Sequence, residues 1–166
     1  MTDNENLALV ADIGGTNARF ALADIGSGMP RLYRQETLPT ADYASLPHAA
    51  EAYLDKHKMK PAMASFAVAC PVSGDEIRLT NRAWAFSQRE LQASLGLDHQ
   101  LVINDFGAAA LATLAIGDGD RVILHGTPDS QRKGPITVIG PGTGLGVALL
   151  AGDDRRGWQV VETEGG

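Results

Sequence analysis

The sequence predicts an α/β protein: a mixed sheet flanked by helices, followed by a second block of strands alone. Three observations predict it. Over residues 7–116, short apolar runs bounded by turn residues alternate with stretches of helical apolar spacing. A polar, glycine-rich junction, Gly117-Asp118-Gly119-Asp120, separates that block from the remainder of the chain. Residues 117–166 then read as strands with no helix among them, a sheet that needs something else to cover it. The expected domains are 1–116 and 117–166.

Leu7 to Asp12 is a short apolar strand ending on a carboxylate, Gly14-Gly15-Thr16-Asn17 has turn chemistry, and Arg19 to Asp24 resumes as a strand. After Gly26-Ser27-Gly28, Arg31 to Leu38 makes a third strand, so a meander is expected. Asp42 to Lys58 carries Tyr43, Leu46, Ala49, Ala50, Tyr53 and Leu54 at helical spacing. Ala62 to Cys70 is nearly continuous in apolar character, which suggests a strand buried on both faces. Glu76 to Thr80 is a short strand. Ser87 to Leu95 is a helix with Ser87 and Glu90 as a capping box and Gly96 closing it. Leu101 to Ile103 is a buried strand, and Phe106 to Ile116 an alanine-rich helix. Arg121 to Leu124, Ile136 to Ile139, Gly146 to Ala151 and Trp158 to Thr163 are the four strands of the second block.

Composition narrows the function classes. The chain has 166 residues, a net charge of -6 and 44% hydrophobic residues, enough to bury a core. The acidic balance excludes nucleic acid and anionic membrane as main partners. Cys70, the single cysteine, allows no intrachain disulfide and reads as a small buried hydrophobe. The polar, acidic start, Met1 to Asn6, shows no signal peptide. Residues 134–152 carry no charge, but six glycines and Pro141 break them into a hairpin rather than a membrane span. The expected compartment is the cytoplasm.

Glycine is in excess, 19 in all, with nine between Gly134 and Gly166. Two clusters carry candidate chemistry. In Asp12-Ile13-Gly14-Gly15-Thr16-Asn17, glycines would let backbone N–H groups approach a phosphate, Thr16 adds a donor, and Asp12 could hold a hydrated Mg²⁺. A plain hairpin turn explains the same residues. In Gly140-Pro141-Gly142-Thr143-Gly144-Leu145-Gly146, four glycines alternate between two strands, more than a hairpin needs, which suggests close approach of a ligand. It is neither a Walker A loop nor a dinucleotide fingerprint. Asn104-Asp105, between a strand and a helix, could be a helix cap or a carboxylate poised as a general base. Two such hairpins facing each other across a cleft could hold the phosphates of one nucleotide.

Together these segments resemble the bacterial glucokinases, which have the hexokinase-type, actin-like ATPase (ribonuclease H-like) fold. Asp12 to Phe20 is similar to the family's first phosphate motif, Ile103-Asn104-Asp105-Phe106 to its catalytic motif, and Gly140 to Gly146 to its second phosphate motif. Thr163-Glu164-Gly165-Gly166 resembles the start of its sugar-binding Glu-Gly-Gly-His. Ala69 to Gly74 and Thr80 to Ser87 resemble segments near the sugar. The resemblance runs collinearly from residue 7 to the end. It implies ATP-dependent phosphorylation of glucose at the 6-hydroxyl in glycolysis. Asp105 would be the base. Asn104, Asp105 and Glu164 would bind the sugar, and Asp12, Gly14, Gly15, Thr16, Asn17, Gly142 and Thr143 would bind the nucleotide. Mg²⁺ would be held through water by Asp12. It also implies a chain about twice as long, so this one is expected to be an N-terminal portion with its second domain incomplete, inactive or very weak alone; its exposed strands are expected to find partners, as a homodimer or a swapped form. Competing readings are a kinase of another hexose, a non-catalytic sugar-binding module and an actin-like assembly protein, the last disfavoured by the sugar-side residues.

Overall fold

The structure, a computed structural model, describes residues 6–26, 28–79, 84–126, 135–141 and 145–164. The chain forms two compact units, Met1–Asp105 and Phe106–Gly166. The boundary expected after residue 116 thus falls earlier, after Asp105. The reason is packing: Ala110 is buried with Ala148 and Leu150, so the helix expected to end the first domain belongs with the later strands.

In the first unit, β1 (Leu7–Ile13), β2 (Asn17–Asp24) and β3 (Arg31–Pro39) form the expected antiparallel meander. β4 (Met63–Val68) runs parallel to β1, and β7 (His99–Asn104) parallel to β4, giving the mixed order β3-β2-β1-β4-β7. β4 is buried on alternate residues only: Ala64, Phe66 and Val68 are buried and the residues between them half-buried, not the two-sided burial its composition suggested.

α1 (Leu46–His57) presents Leu46, Ala49, Ala50, Tyr53 and Leu54 to the core, the spacing read from sequence. It starts later than Asp42 because Pro47 sits in its first turn. A helix begun at Asp42 would place that ring inside, against the carbonyl four residues back. A 3-10 turn, Thr40–Asp42, precedes it instead. The Tyr53 ring stacks on Phe20 at 5.3 Å, and its hydroxyl donates to the Arg34 carbonyl at 2.8 Å. Arg34 has φ 52, where the β2–β3 register shifts between Phe20 and Leu22. A bulge of this kind leaves a residue out of the ladder, and Tyr53 satisfies its carbonyl.

α2 (Gln88–Leu95) is capped as expected, with Ser87 Oγ accepting from the Glu90 N–H at 3.2 Å and Gly96 in the left-handed region. β5 (Glu76–Arg78) pairs with β6 (Ala85–Ser87), a strand that the sequence pattern does not mark. Phe86 and the neighbouring Trp84 are buried in the main core.

In the second unit, α3 (Asp105–Ala112, its first residue at the junction) is followed by β8 (Ile136–Pro141), β9 (Leu145–Asp153) and β10 (Gly157–Glu164), an antiparallel sheet of order β10-β9-β8. The sheet is not left uncovered: Phe106, Leu111 and Leu114 pack with Ile136, Val138 and Val160 around Ala110, Ala148 and Leu150. The strand expected at Arg121–Leu124 does not form. It gains no ladder partner among the described residues, and Val122 and Leu124 stand 83% and 93% exposed.

Candidate active site

The parallel register of β1, β4 and β7 aligns the ends of all three strands. Ile13 lies opposite Val68, and Val68 opposite Asn104. Just beyond that row the chain turns three times, into Gly14–Asn17, into Ala69-Cys70 and into α3 at Asp105. Ligands of open α/β sheets bind outside the carboxyl ends of such strands. Asp12, Gly14, Gly15, Thr16, Asn17, Asn104 and Asp105 are therefore brought to one end of the first unit's sheet.

The three turns are stitched together. The Ala69 N–H donates to the Ile13 carbonyl at 3.0 Å. The Asn104 side-chain amide donates to the Cys70 carbonyl at 3.2 Å, which fixes the plane of that amide. Cys70 is buried, as its sequence context suggested. Gly14 closes the first turn by donating its N–H to the Asn17 carbonyl at 2.9 Å. That N–H is thus engaged within the turn itself.

Asp12 faces Arg19 across β1–β2, and their side chains form an ion pair at 2.7 Å. With side chains 50% and 63% exposed, such a pair adds about 0–1 kcal/mol to stability. Its consequence is local: it holds the Asp12 carboxylate beside the turn. Neither Arg19 nor Thr40 stands out in the sequence. Thr40 is 1% exposed, and its hydroxyl donates to the carbonyls of Gly15 at 2.9 Å and Thr16 at 3.0 Å. In Leu38-Pro39-Thr40-Ala41-Asp42 a threonine reads as one more loop residue, and only the tertiary contact marks it. Arg19 carries a weak signal, since a short hairpin places it opposite Asp12.

In the second unit, two motif glycines have a packing explanation. Gly140 and Gly146 are cross-strand partners on β8 and β9. A Cβ built on Gly140 would lie 2.5 Å from the Phe106 ring, and one on Gly146 would overlap that ring outright. The rung is bare because an aromatic sits on it. This accounts for two of the four glycines without a ligand. Gly142 and Thr143 lie outside the described residues, as do Gly165 and Gly166. Glu164 ends β10 opposite Gly146.

Comparison with known proteins identifies the family. The Glucokinase family model matches residues 9–166. The glucokinase of Cronobacter sakazakii is 43% identical over 159 residues, covering 96% of this chain and 48% of that protein. The glucokinase of Yersinia pestis (strain Pestoides F) matches to the same extent. A crystal structure of glucokinase from an Antarctic psychrotroph superposes with a TM-score of 0.85 at 37% identity, over 97% of this chain and 51% of that one. A ROK family glucokinase from Streptomyces griseus, solved in complex with glucose and AMPPNP, shares the fold at a TM-score of 0.63 and 20% identity, over 94% and 48% of the two chains. The chain spans about half the length of the curated relatives it matches. Its sheet order, its motifs and these likenesses agree: the chain belongs to the glucokinase family.

Proposed function

We propose that a protein of the relatives' full length containing this chain transfers the γ-phosphoryl group of MgATP to the 6-hydroxyl of glucose. One observation carries the reading: the in-register ends of β1, β4 and β7 collect a carboxylate, a glycine turn and the Asn104-Asp105 pair at one sheet end, in a chain of this family. Phosphoryl transfer asks mainly for positioning and charge neutralisation. The turn at Gly15-Thr16 supplies oriented donors for phosphate oxygens, and the resemblance assigns Gly142 and Thr143 to the nucleotide as well. Asn104, anchored on Cys70, offers a fixed hydrogen-bond partner for a neutral polyol, which discriminates against analogues lacking a hydroxyl, and the resemblance assigns Glu164 to the sugar as well. Asp105 accepts the proton of the 6-hydroxyl as that oxygen bonds to the γ-phosphorus and the bridging bond to ADP breaks.

Among the described residues no three His, Cys, Asp or Glu side chains cluster to cage a metal. Asp12, held beside the turn by Arg19, would hold a magnesium ion through water. Bound there, it would offset the charge of the phosphates. Among the described residues no helix is long and apolar enough to cross a membrane. A coupled glucose 6-phosphate assay tests the assignment. Asp105→Ala is expected to lower kcat by roughly 10²–10⁴-fold, the range of a lost general base. Unchanged turnover would remove Asp105 from that role. Comparing glucose with fructose, mannose and N-acetylglucosamine in the same assay decides the hexose.

A further inference from the structure

We propose that Thr40 is a positioning residue for the first glycine turn: it turns two peptide groups so that their N–H bonds face a bound phosphate. The inference rests on the reading that this turn takes a phosphate. Thr40 lies in the 3-10 turn after β3, far from the glycines in sequence, and is one of two buried polar residues among those described, with Ser87. Ser87 is accounted for by capping α2. Thr40 reaches the turn through two donors, one of them shared between two carbonyls. Its hydroxyl donates to the carbonyls of Gly15 at 2.9 Å and Thr16 at 3.0 Å, and its backbone N–H donates to the Thr16 carbonyl at 3.0 Å.

Peptide geometry sets the consequence. In a planar trans peptide the C=O and N–H bonds point in opposite directions. Holding the Gly15 and Thr16 carbonyls toward Thr40 sends the N–H groups of Thr16 and Asn17 the other way. It also keeps two carbonyl oxygens, which would repel an anion, turned inward. Because the Gly14 N–H already closes the turn on Asn17, orientation of the following peptides decides what the loop can offer. Donors fixed before the ligand arrives need no reorganisation when it binds. Glycine makes the turn adaptable, and Thr40 removes the surplus freedom.

The probe is magnesium tripolyphosphate, titrated into the ¹⁵N-labelled 166-residue chain and followed by backbone amide shifts. The parent chain and Thr40→Ser, which keeps the hydroxyl, are expected to show saturating shifts at Thr16 and Asn17 with matching Kd. Thr40→Val, similar in shape and without the hydroxyl, is expected to bind about tenfold more weakly, the scale of one lost hydrogen bond. Thr40→Ala, which leaves room for water to meet the carbonyls, is expected to weaken binding similarly and stands in if the valine variant does not fold. A merely structural threonine would lower the melting temperature and leave Kd unmoved at a temperature where every variant is folded. Parental affinity in the folded valine or alanine variant overturns the proposal and leaves the phosphate reading intact. Absence of shifts at Thr16 and Asn17 in the parent chain overturns both.

Discussion

The two glycine turns look alike in sequence and are built on different physics. In the first, residues 14–17, the glycines sit where backbone hydrogen bonds are exchanged: Gly14 with Asn17, and Gly15 with the buried Thr40 hydroxyl. In the second, Gly140 and Gly146 are absences of volume, a bare rung on which the Phe106 ring rests. The surroundings differ in the same sense. The first unit buries a broad core that includes Phe20, Leu22, Tyr53, Phe66 and Trp84, so polar groups inside it are held by a rigid frame. Among its described residues the second buries three apolar side chains, Ala110, Ala148 and Leu150, and the backbone of Gly107, with larger side chains partly covered around them. A glycine in one motif can thus serve hydrogen-bond direction, and in the next, shape.

The largest effect is expected at the bare rung. Gly146→Ala places a methyl group inside the Phe106 ring position, and overpacking of this kind costs about 1–3 kcal/mol. With so small a core to absorb it, the loss should fall near the top of that range. The chain has two tryptophans, Trp84 in the first unit and Trp158 in the second, so single-tryptophan variants report each unit separately. Urea unfolding followed at Trp158 should move and that at Trp84 should not. Phe106→Leu should make the glycine substitution cheaper, a coupling measurable as a double-mutant cycle. An equal cost of Gly146→Ala with and without the ring would break the comparison.

A smaller loss is expected where the first unit depends on a hydrogen bond. Tyr53→Phe keeps the stack on Phe20 and deletes the bond to the Arg34 carbonyl, for about 1 kcal/mol read at Trp84. The same hydroxyl gives a pH signature. Burial, with the Glu36 charge second, pushes its pKa from 10.0 up to about 12. A raised pKa means the folded state favours the protonated form. That stabilisation is complete below pH 10.0 and is lost as pH rises toward about 12. Phe at this position should flatten that alkaline limb, and an unchanged limb would mean that another group sets it.

Legibility in the sequence divides along the same line. Short-range rules carry well: the meander, the Ser87–Glu90 cap with Gly96, and the core face of α1 are all set within a few residues. The strand ends bearing Asp12 and Asn104 are legible because an apolar run stops on a polar residue. The misses are long-range. Thr40 gains its role only through Gly15 and Thr16, and Phe106 explains Gly140 and Gly146 only once β8 and β9 pair. Arg121–Leu124 has the composition of a strand and, among the described residues, lacks the partner that would make it one. β6, three residues long, is fixed by pairing with β5 rather than by its own pattern.

The mildest prediction concerns the first unit's polar frame in acid. Asp75 joins the loop before β5 to the start of α2: its carboxylate accepts from Ser87 Oγ at 2.8 Å and from the Arg89 N–H at 3.0 Å, while its carbonyl accepts from the Gln88 N–H at 2.9 Å. The Ser87 hydroxyl gives its proton to Asp75 and takes the Glu90 N–H, so cap and carboxylate form one chain of bonds. The hydrogen bond from Ser87, followed by that from the Arg89 amide, holds the Asp75 pKa below the ordinary 3.8. A lowered carboxylate pKa contributes stability above the unfolded value and loses it as pH falls through the folded one. The loss therefore begins near pH 3.8 and deepens below it. Glu36, held below 4.5 first by its bond to Lys56, adds a separate acid dependence to the same unit. Asp75→Asn removes only the Asp75 part. Acid unfolding read at Trp84 should become shallower below pH 3.8 and stay unchanged at Trp158. An identical acid limb at Trp84 would show that the bonds at Asp75 survive its protonation, and that direction, rather than charge, is what this cap supplies.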